Sequence, residues 1–255
     1  MAMSNNHILP ILFCCGIWAA VGCTLPAATE LKYKLEATPE IADDKGYYFD
    51  SIDSTVVWSQ EGLQVKVRYL SPDVLDTRYN PEYSPYTLGD WKHPRLGYTP
   101  PLFTVFEITV INRARERVEL DPTQVVLRFD TGDKYYSQQG LGRLNNGVNY
   151  FDYSYLKWGS EDGNTAFHAS TDRNDILSRT QYLREKPVLM GRKYVGLLSF
   201  PPPPEKAGAM TLEINDFILS FDKFEVGFGN PVEFTDMAFP FKVDQGVIEV
   251  KGEAE

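Results

Sequence analysis

The chain has 255 residues, with 35 Asp and Glu against 25 Lys and Arg, for a net charge of −10. That anionic surplus argues against nucleic-acid binding, because phosphates select basic surfaces, and against electrostatic adhesion to anionic lipid. All three cysteines, Cys14, Cys15 and Cys23, fall in the first tenth of the chain, so disulfide scaffolds, CxxC redox pairs and thiolate zinc sites are excluded after residue 23.

Residues 8–21, ILPILFCCGIWAAV, carry no charge. The run has the length of a signal-peptide centre and falls short of the ~20 apolar residues of a membrane-spanning helix. At its end Ala20, Val21 and Gly22 precede Cys23, and this stretch resembles the lipobox of bacterial lipoproteins, in which cleavage before the cysteine leaves it acylated. The resemblance implies a signal peptide over 1–22, a lipid on Cys23 and membrane attachment through that lipid. With Thr24 in the next position it implies the outer membrane of a Gram-negative host, facing either periplasm or exterior. An ordinary secretory signal cut near Ala27 or Ala28 would instead discard Cys23. Removing 22 residues from 255 leaves 233, enough to bury a core without disulfides.

Residues 23–45 are expected to form the lipidated terminus and a linker. The stretch TLPAATELKYKLEATPEI (24–41) mixes Pro, Ala, Thr and charges, and its 18 residues could extend about 60 Å at most. A β-rich body is expected over 46–245. VVWSQEGLQVKVRYL (56–70) reads as a hairpin turning at Glu61-Gly62, with Val65, Val67 and Tyr69 alternating against Lys66 and Arg68. LFTVFEITVIN (102–112) is apolar on both faces, as a central strand should be. Further strands are predicted over 125–129 before the Thr131-Gly132-Asp133 turn, over 194–200 before PPPP, over 210–214, 217–221 and 232–243. A C-terminal tail is expected over 246–255.

Short strands separated by Gly, Pro and Asn turns predict an all-β fold, an immunoglobulin-like antiparallel β-sandwich. A long insertion interrupts it at about 137–190, with the aromatic run YFDYSYLKW (150–158) and a short helix expected over 172–183 with Asp172 as its cap. The order FTVFEITVIN, ERVELDPTQVVLRFDTGDKY, GRKYVGLLSFPPPPEKAGAMTLEI, VEFTDMAFPFKV is similar to the telokin-like, immunoglobulin-fold domain of bacterial surface lipoproteins of unknown function. That resemblance, over about 56–243 without the insertion, implies a noncatalytic binding or assembly module and brings no catalytic residues.

The remaining motifs carry little chemistry. Only His93 and His168 follow the signal segment, so a multi-histidine metal site within the chain is excluded, and no cofactor is implied. GLGRLN (140–145) reads as a turn; SEDGN (160–164) gathers Glu161, Asp162 and Asn164, oxygen enough for a partial calcium site, but lacks the EF-hand spacing and reads as a solvated acidic turn; SFDK (220–223) matches SxxK without a KTG partner. Two segments are candidates for contact with an envelope protein or a saccharide. Tyr150, Tyr153, Tyr155 and Trp158 could form a stacking surface, or pack the insertion onto the sandwich. The stretch 83–101, around Trp91 and His93, reads as a packed crossover that could also serve recognition. Three functions follow: a lipid-anchored binding module, a structural component of an envelope complex that uses a sandwich edge, and a hydrolase with a carboxylate pair. An aromatic patch favours the first, an uncapped flat edge the second, and a concave acidic cleft the third.

Overall fold

The computed structural model describes residues 29–41, 46–138, 163–184, 186–223 and 229–251. Its strands are β1 (Thr29–Pro39), β2 (Tyr47–Asp50), β3 (Thr55–Gln60), β4 (Leu63–Leu70), β5 (Thr104–Asn112), β6 (Arg117–Val118), β7 (Val125–Phe129), β8 (Lys134–Tyr136), β9 (Val188–Leu189), β10 (Arg192–Phe200), β11 (Ala209–Phe221) and β12 (Pro231–Lys251). The helices are α1 (Pro72–Arg78) and α2 (Gly163–Thr180).

Two five-stranded antiparallel sheets, ordered β1-β12-β11-β7-β8 and β10-β5-β4-β3-β2, face each other as the predicted sandwich. Alternation places Val65 and Val67 of β4 and Phe106, Ile108 and Val110 of β5 inward, against Leu212 and Ile214 of β11 and Phe239 and Phe241 of β12. The Phe106 ring lies 5.3 Å from that of Phe241 across the layers and 6.1 Å from that of Phe200 on the neighbouring strand. The β3–β4 hairpin turns where predicted, with Glu61 and Gly62 at φ 47° and 80°, a conformation that suits glycine at the second position. β5 is central, between β4 and β10.

Four expectations change. The first concerns the linker, because Thr29–Pro39 is an edge strand paired along its whole length with β12. Leu31, Tyr33, Leu35 and Ala37 alternate against Glu30, Lys32, Lys34 and Glu36, a period of two hidden among charges. The ladder ends at two prolines. Glu40 N–H still donates to the Pro240 carbonyl at 2.9 Å, but Pro240 has no N–H to return. The second change is at the tail, because residues 246–251 continue β12 opposite residues 29–34.

Third, α2 begins nine residues before Asp172, which lies within the helix, and ends at Thr180. It stops there because Gln181 bridges to Leu197 and Tyr182 N–H donates to the Leu197 carbonyl at 2.9 Å. Fourth, the strands predicted over 210–214 and 217–221 are one strand. A bulge between Ile214 and Phe217 absorbs Asn215 and Asp216, with Asp216 at φ 52° and its N–H bonded to Asp236 Oδ1 at 2.8 Å.

A second apolar cluster lies outside the sandwich on the β4-β5-β10 sheet. Val105 and Leu197 pack there with Leu75 of α1, Leu177 of α2, and Tyr86, Leu88, Leu102 and Phe103 of the β4–β5 crossover. The crossover is thus packed against the body, and it forms one wall of a cleft.

Candidate functional site: a cleft between the first strand and the crossover

Ser71-Pro72-Asp73 starts α1. The Ser71 side chain accepts from Val74 N–H, Pro72 sits in the first turn where its missing donor costs nothing, and Asp73 suits the positive end of the helix. Asp73 and Asp76, three residues apart, share a helix face. That face, the β1 residues Glu30 to Tyr33 and the crossover enclose a cleft of about 560 Å³, within the size range of small-ligand sites. Its floor includes the buried Leu75, Leu88, Leu102 and Phe103.

Charge is arranged around the apolar floor in pairs. Lys32 Nζ lies 2.8 Å from Asp73 Oδ1, and Lys92 Nζ lies 2.5 Å from Glu30 Oε1, joining the strand to the helix and to the crossover. The bond to Lys92 holds the Glu30 carboxyl below its ordinary range. Thr87 Oγ1 donates to Asp76 Oδ1 at 2.5 Å. Burial pushes the Asp76 carboxyl up, the Thr87 hydroxyl opposes that shift, and the nearby Asp73 and Asp90 reinforce it. Asp90 stands exposed at the rim. Beside the cleft the rings of Tyr33 and Tyr98 stack at 5.9 Å.

Trp91 lies between the cleft-lining Asp90 and Lys92. It is half-buried against the second cluster, and its carbonyl accepts from Thr99 Oγ1 at 2.7 Å. His93 meets Trp91 edge to face at 5.8 Å, and its Nδ1 accepts from the N–H groups of Arg95 and Leu96. These two side chains therefore shape the crossover. Cys23, Tyr150, Tyr153, Tyr155 and Trp158 lie outside the described residues, as do GLGRLN and the first residues of SEDGN. Ser220 belongs to β11 and donates to Glu233 Oε2 at 3.3 Å, so SFDK lacks the helix start that SxxK chemistry uses.

Sequence reasoning missed the cleft residues Glu30, Lys32, Asp73 and Asp76, whereas Thr87 and Lys92 fall in the 83–101 stretch read as a packed crossover that could serve recognition, without being singled out there. The signal for two of them was present, since Ser-Pro-Asp followed by Asp three residues later marks a helix start with an acidic face. Among the described residues no group of His, Cys, Asp and Glu is arranged to hold a metal ion, and no helix is long and apolar enough to cross a membrane. No family model, curated protein or solved structure matches the chain.

Proposed function

We propose that this chain is a noncatalytic binding module of the cell envelope, anchored by lipid on Cys23, at the outer membrane in a Gram-negative host, and that it captures a saccharide or an envelope protein segment in the cleft beside β1. The observation that carries the reading is the cleft itself. It combines an apolar floor with polar groups fixed at its walls, the make-up of a recognition site. The telokin-like resemblance supports the same reading, because such domains present loops on a rigid sandwich.

A photo-crosslinking residue in place of Asp90, on the cleft rim, tests it. Irradiated cells should yield a discrete adduct from Asp90 and none from Met190, which sits in the β9–β10 turn. Equal labelling from both positions, or none from Asp90, would remove the cleft as the binding site.

A hydrolase reading draws on the same cleft, because Asp73 and Asp90 both act on Asp76. It is the weaker one. Glu30 and Asp73 are already paired with lysines and Asp76 with Thr87, which leaves Asp90 alone among the four carboxylates without a partner for acid–base work among the described residues. Loss of a measured hydrolytic activity in both Asp76→Asn and Asp90→Asn would reverse that preference.

A further inference from the structure

β11 pairs with β12 only as far as Lys242, opposite Ala209. Beyond it the loop before β11 supports β12 for three more residues, where Val243 N–H donates to the Gly208 carbonyl and the Gln245 side chain donates to the carbonyls of Pro204 and Ala207. From Gly246 onward β12 pairs, among the described residues, with β1 alone, so residues 246–251 and 29–34 form a two-stranded ribbon of six residue pairs, about 20 Å long.

Each face of this ribbon carries two exposed apolar residues among its charged ones. Directly opposed residues of an antiparallel pair share a face. Leu31 and Val247 therefore lie on one face, through the pairs Leu31↔Glu249 and Tyr33↔Val247. Ile248 and Val250 lie on the other, through Lys32↔Ile248 and Glu30↔Val250. All four are exposed, at 38%, 46%, 40% and 39%, and Leu31 and Val250 also line the cleft, at its mouth. The crossover and α1 already touch β1 side chains on both faces, through Tyr33–Tyr98, Lys32–Asp73 and Lys92–Glu30; a flat partner surface would reach what one face leaves exposed, whereas a fluid interface reaches what both leave exposed. The chain's length supplies the second constraint. Cys23 precedes Thr29 by six residues, which span no more than about 20 Å.

We infer that this ribbon tip is a wedge that enters the interfacial layer of the membrane to which Cys23 is anchored, and that it holds the mouth of the cleft at the bilayer surface. The inference rests on the acylation of Cys23 proposed above. Glu30, paired with Lys92, Lys32, paired with Asp73 and across from Ile248, and Glu249, across from Leu31, hold the insertion at headgroup depth rather than in the hydrocarbon. Because the contact is apolar and the protein carries a net charge of −10, it should be insensitive to salt and should not require anionic lipid.

The test uses the full-length acylated protein in phosphatidylcholine vesicles, with an environment-sensitive fluorophore on Val247→Cys, Val250→Cys or Met190→Cys, each variant checked for wild-type melting. Met190 marks the opposite end of the sandwich, where Gly191 N–H bonds to the Asn112 carbonyl at the end of β5. Labels on both ribbon faces should shift to the blue and be quenched severalfold more than the Met190 label by nitroxides near the top of the acyl chains. Quenching on one face alone means that the ribbon lies flat and overturns the wedge. A blue shift without nitroxide quenching marks a protein neighbour, a second copy included, and also overturns it. Co-flotation with neither label quenched overturns the wedge while leaving the anchor intact. A mass showing no acyl group on Cys23 overturns the anchor reading, and the wedge with it.

Discussion

The side-chain amide of Asn112 donates to the Val188 carbonyl at 2.8 Å, a bond between residues 76 apart in sequence that joins the end of the central strand β5 to β9. The same nitrogen donates to the Arg115 carbonyl at 2.7 Å, and Arg115 N–H returns to Asn112 Oδ1 at 2.9 Å. Asn112 is fully buried. One side chain thus closes the turn after β5 and ties it to the strand that leads into β10. This gives a physical reason for asparagine at the end of the FTVFEITVIN pattern, since no other side chain of that size supplies both a donor pair and an acceptor there.

Asn112→Ala should therefore cost about 3–5 kcal/mol, since three bonds go and buried backbone groups are left unsatisfied. Asn112→Asp should also be destabilising, because it removes both donors and buries a charge. Urea unfolding with an unchanged m-value measures the loss. A cost below about 1 kcal/mol for the alanine variant would show that water replaces the side chain.

A close backbone approach fixes Gly196. A Cβ at that position would fall 2.5 Å from Tyr182 Cα, where the chain leaving α2 crosses β10. Gly196→Ala must push two backbones apart and should cost about 2–3 kcal/mol, near the upper end of overpacking penalties. The neighbouring Tyr182 presents the opposite case. Its ring meets Tyr194 edge to face at 4.6 Å in the core, yet its buried hydroxyl has no hydrogen-bond partner among the described residues. Tyr182→Phe should keep the packing and raise stability by about 1 kcal/mol. A destabilised phenylalanine variant would mean that the hydroxyl is bonded after all.

How much of this was legible depended on where each element finds its partner. β4 declares itself by its alternation, and β5 and β7 by the β-branched and aromatic content of a strand buried on both faces. β1 has the alternation, but its polar face is all charge and its partner lies about 210 residues away in β12, so nothing local separates it from a linker. The cleft was illegible for a related reason. Its walls come from β1, α1 and both ends of the crossover, and only the folded topology brings Lys32 to Asp73 or Lys92 to Glu30. Trp91 could be singled out from sequence because no periodic element accounted for it, but its role as a packing residue needed the second cluster.

Trp91→Ala should accordingly behave as a packing mutation. Complete burial of a tryptophan is worth about 3–5 kcal/mol on truncation, and a half-buried ring should lose about 2 kcal/mol. The loss should loosen the crossover by removing the ring's packing against the second cluster, while the Trp91 N–H bond to the Leu88 carbonyl and the Thr99 Oγ1 bond to the Trp91 carbonyl are main-chain contacts that alanine keeps. Denaturation midpoints decide the matter. A variant that melts like the wild type while losing the Asp90 crosslink would make Trp91 a contact residue instead.

Asp76 offers a test by pH. Burial, with Asp73 and Asp90 nearby, raises its carboxyl above the ordinary aspartate value of 3.8, and the Thr87 hydroxyl only partly opposes this. In the unfolded chain the group returns to that ordinary value. Just above it the folded state therefore holds a proton that the unfolded state has released, so this group's contribution to stability falls as pH rises through the window and the full penalty is present at neutral pH. Asp76→Asn keeps an acceptor for Thr87 and removes the charge. At pH 7 it should be more stable than the wild type, by less than about 1 kcal/mol because the half-exposed carboxylate is screened by solvent. At about pH 3, where wild-type Asp76 is protonated folded or unfolded, the difference should vanish. Paired urea titrations at the two pH values measure it. An asparagine variant less stable at pH 7, or one with the same difference at both, would show that the Asp76 carboxylate is stabilised in the cleft by a cation and carries no penalty there.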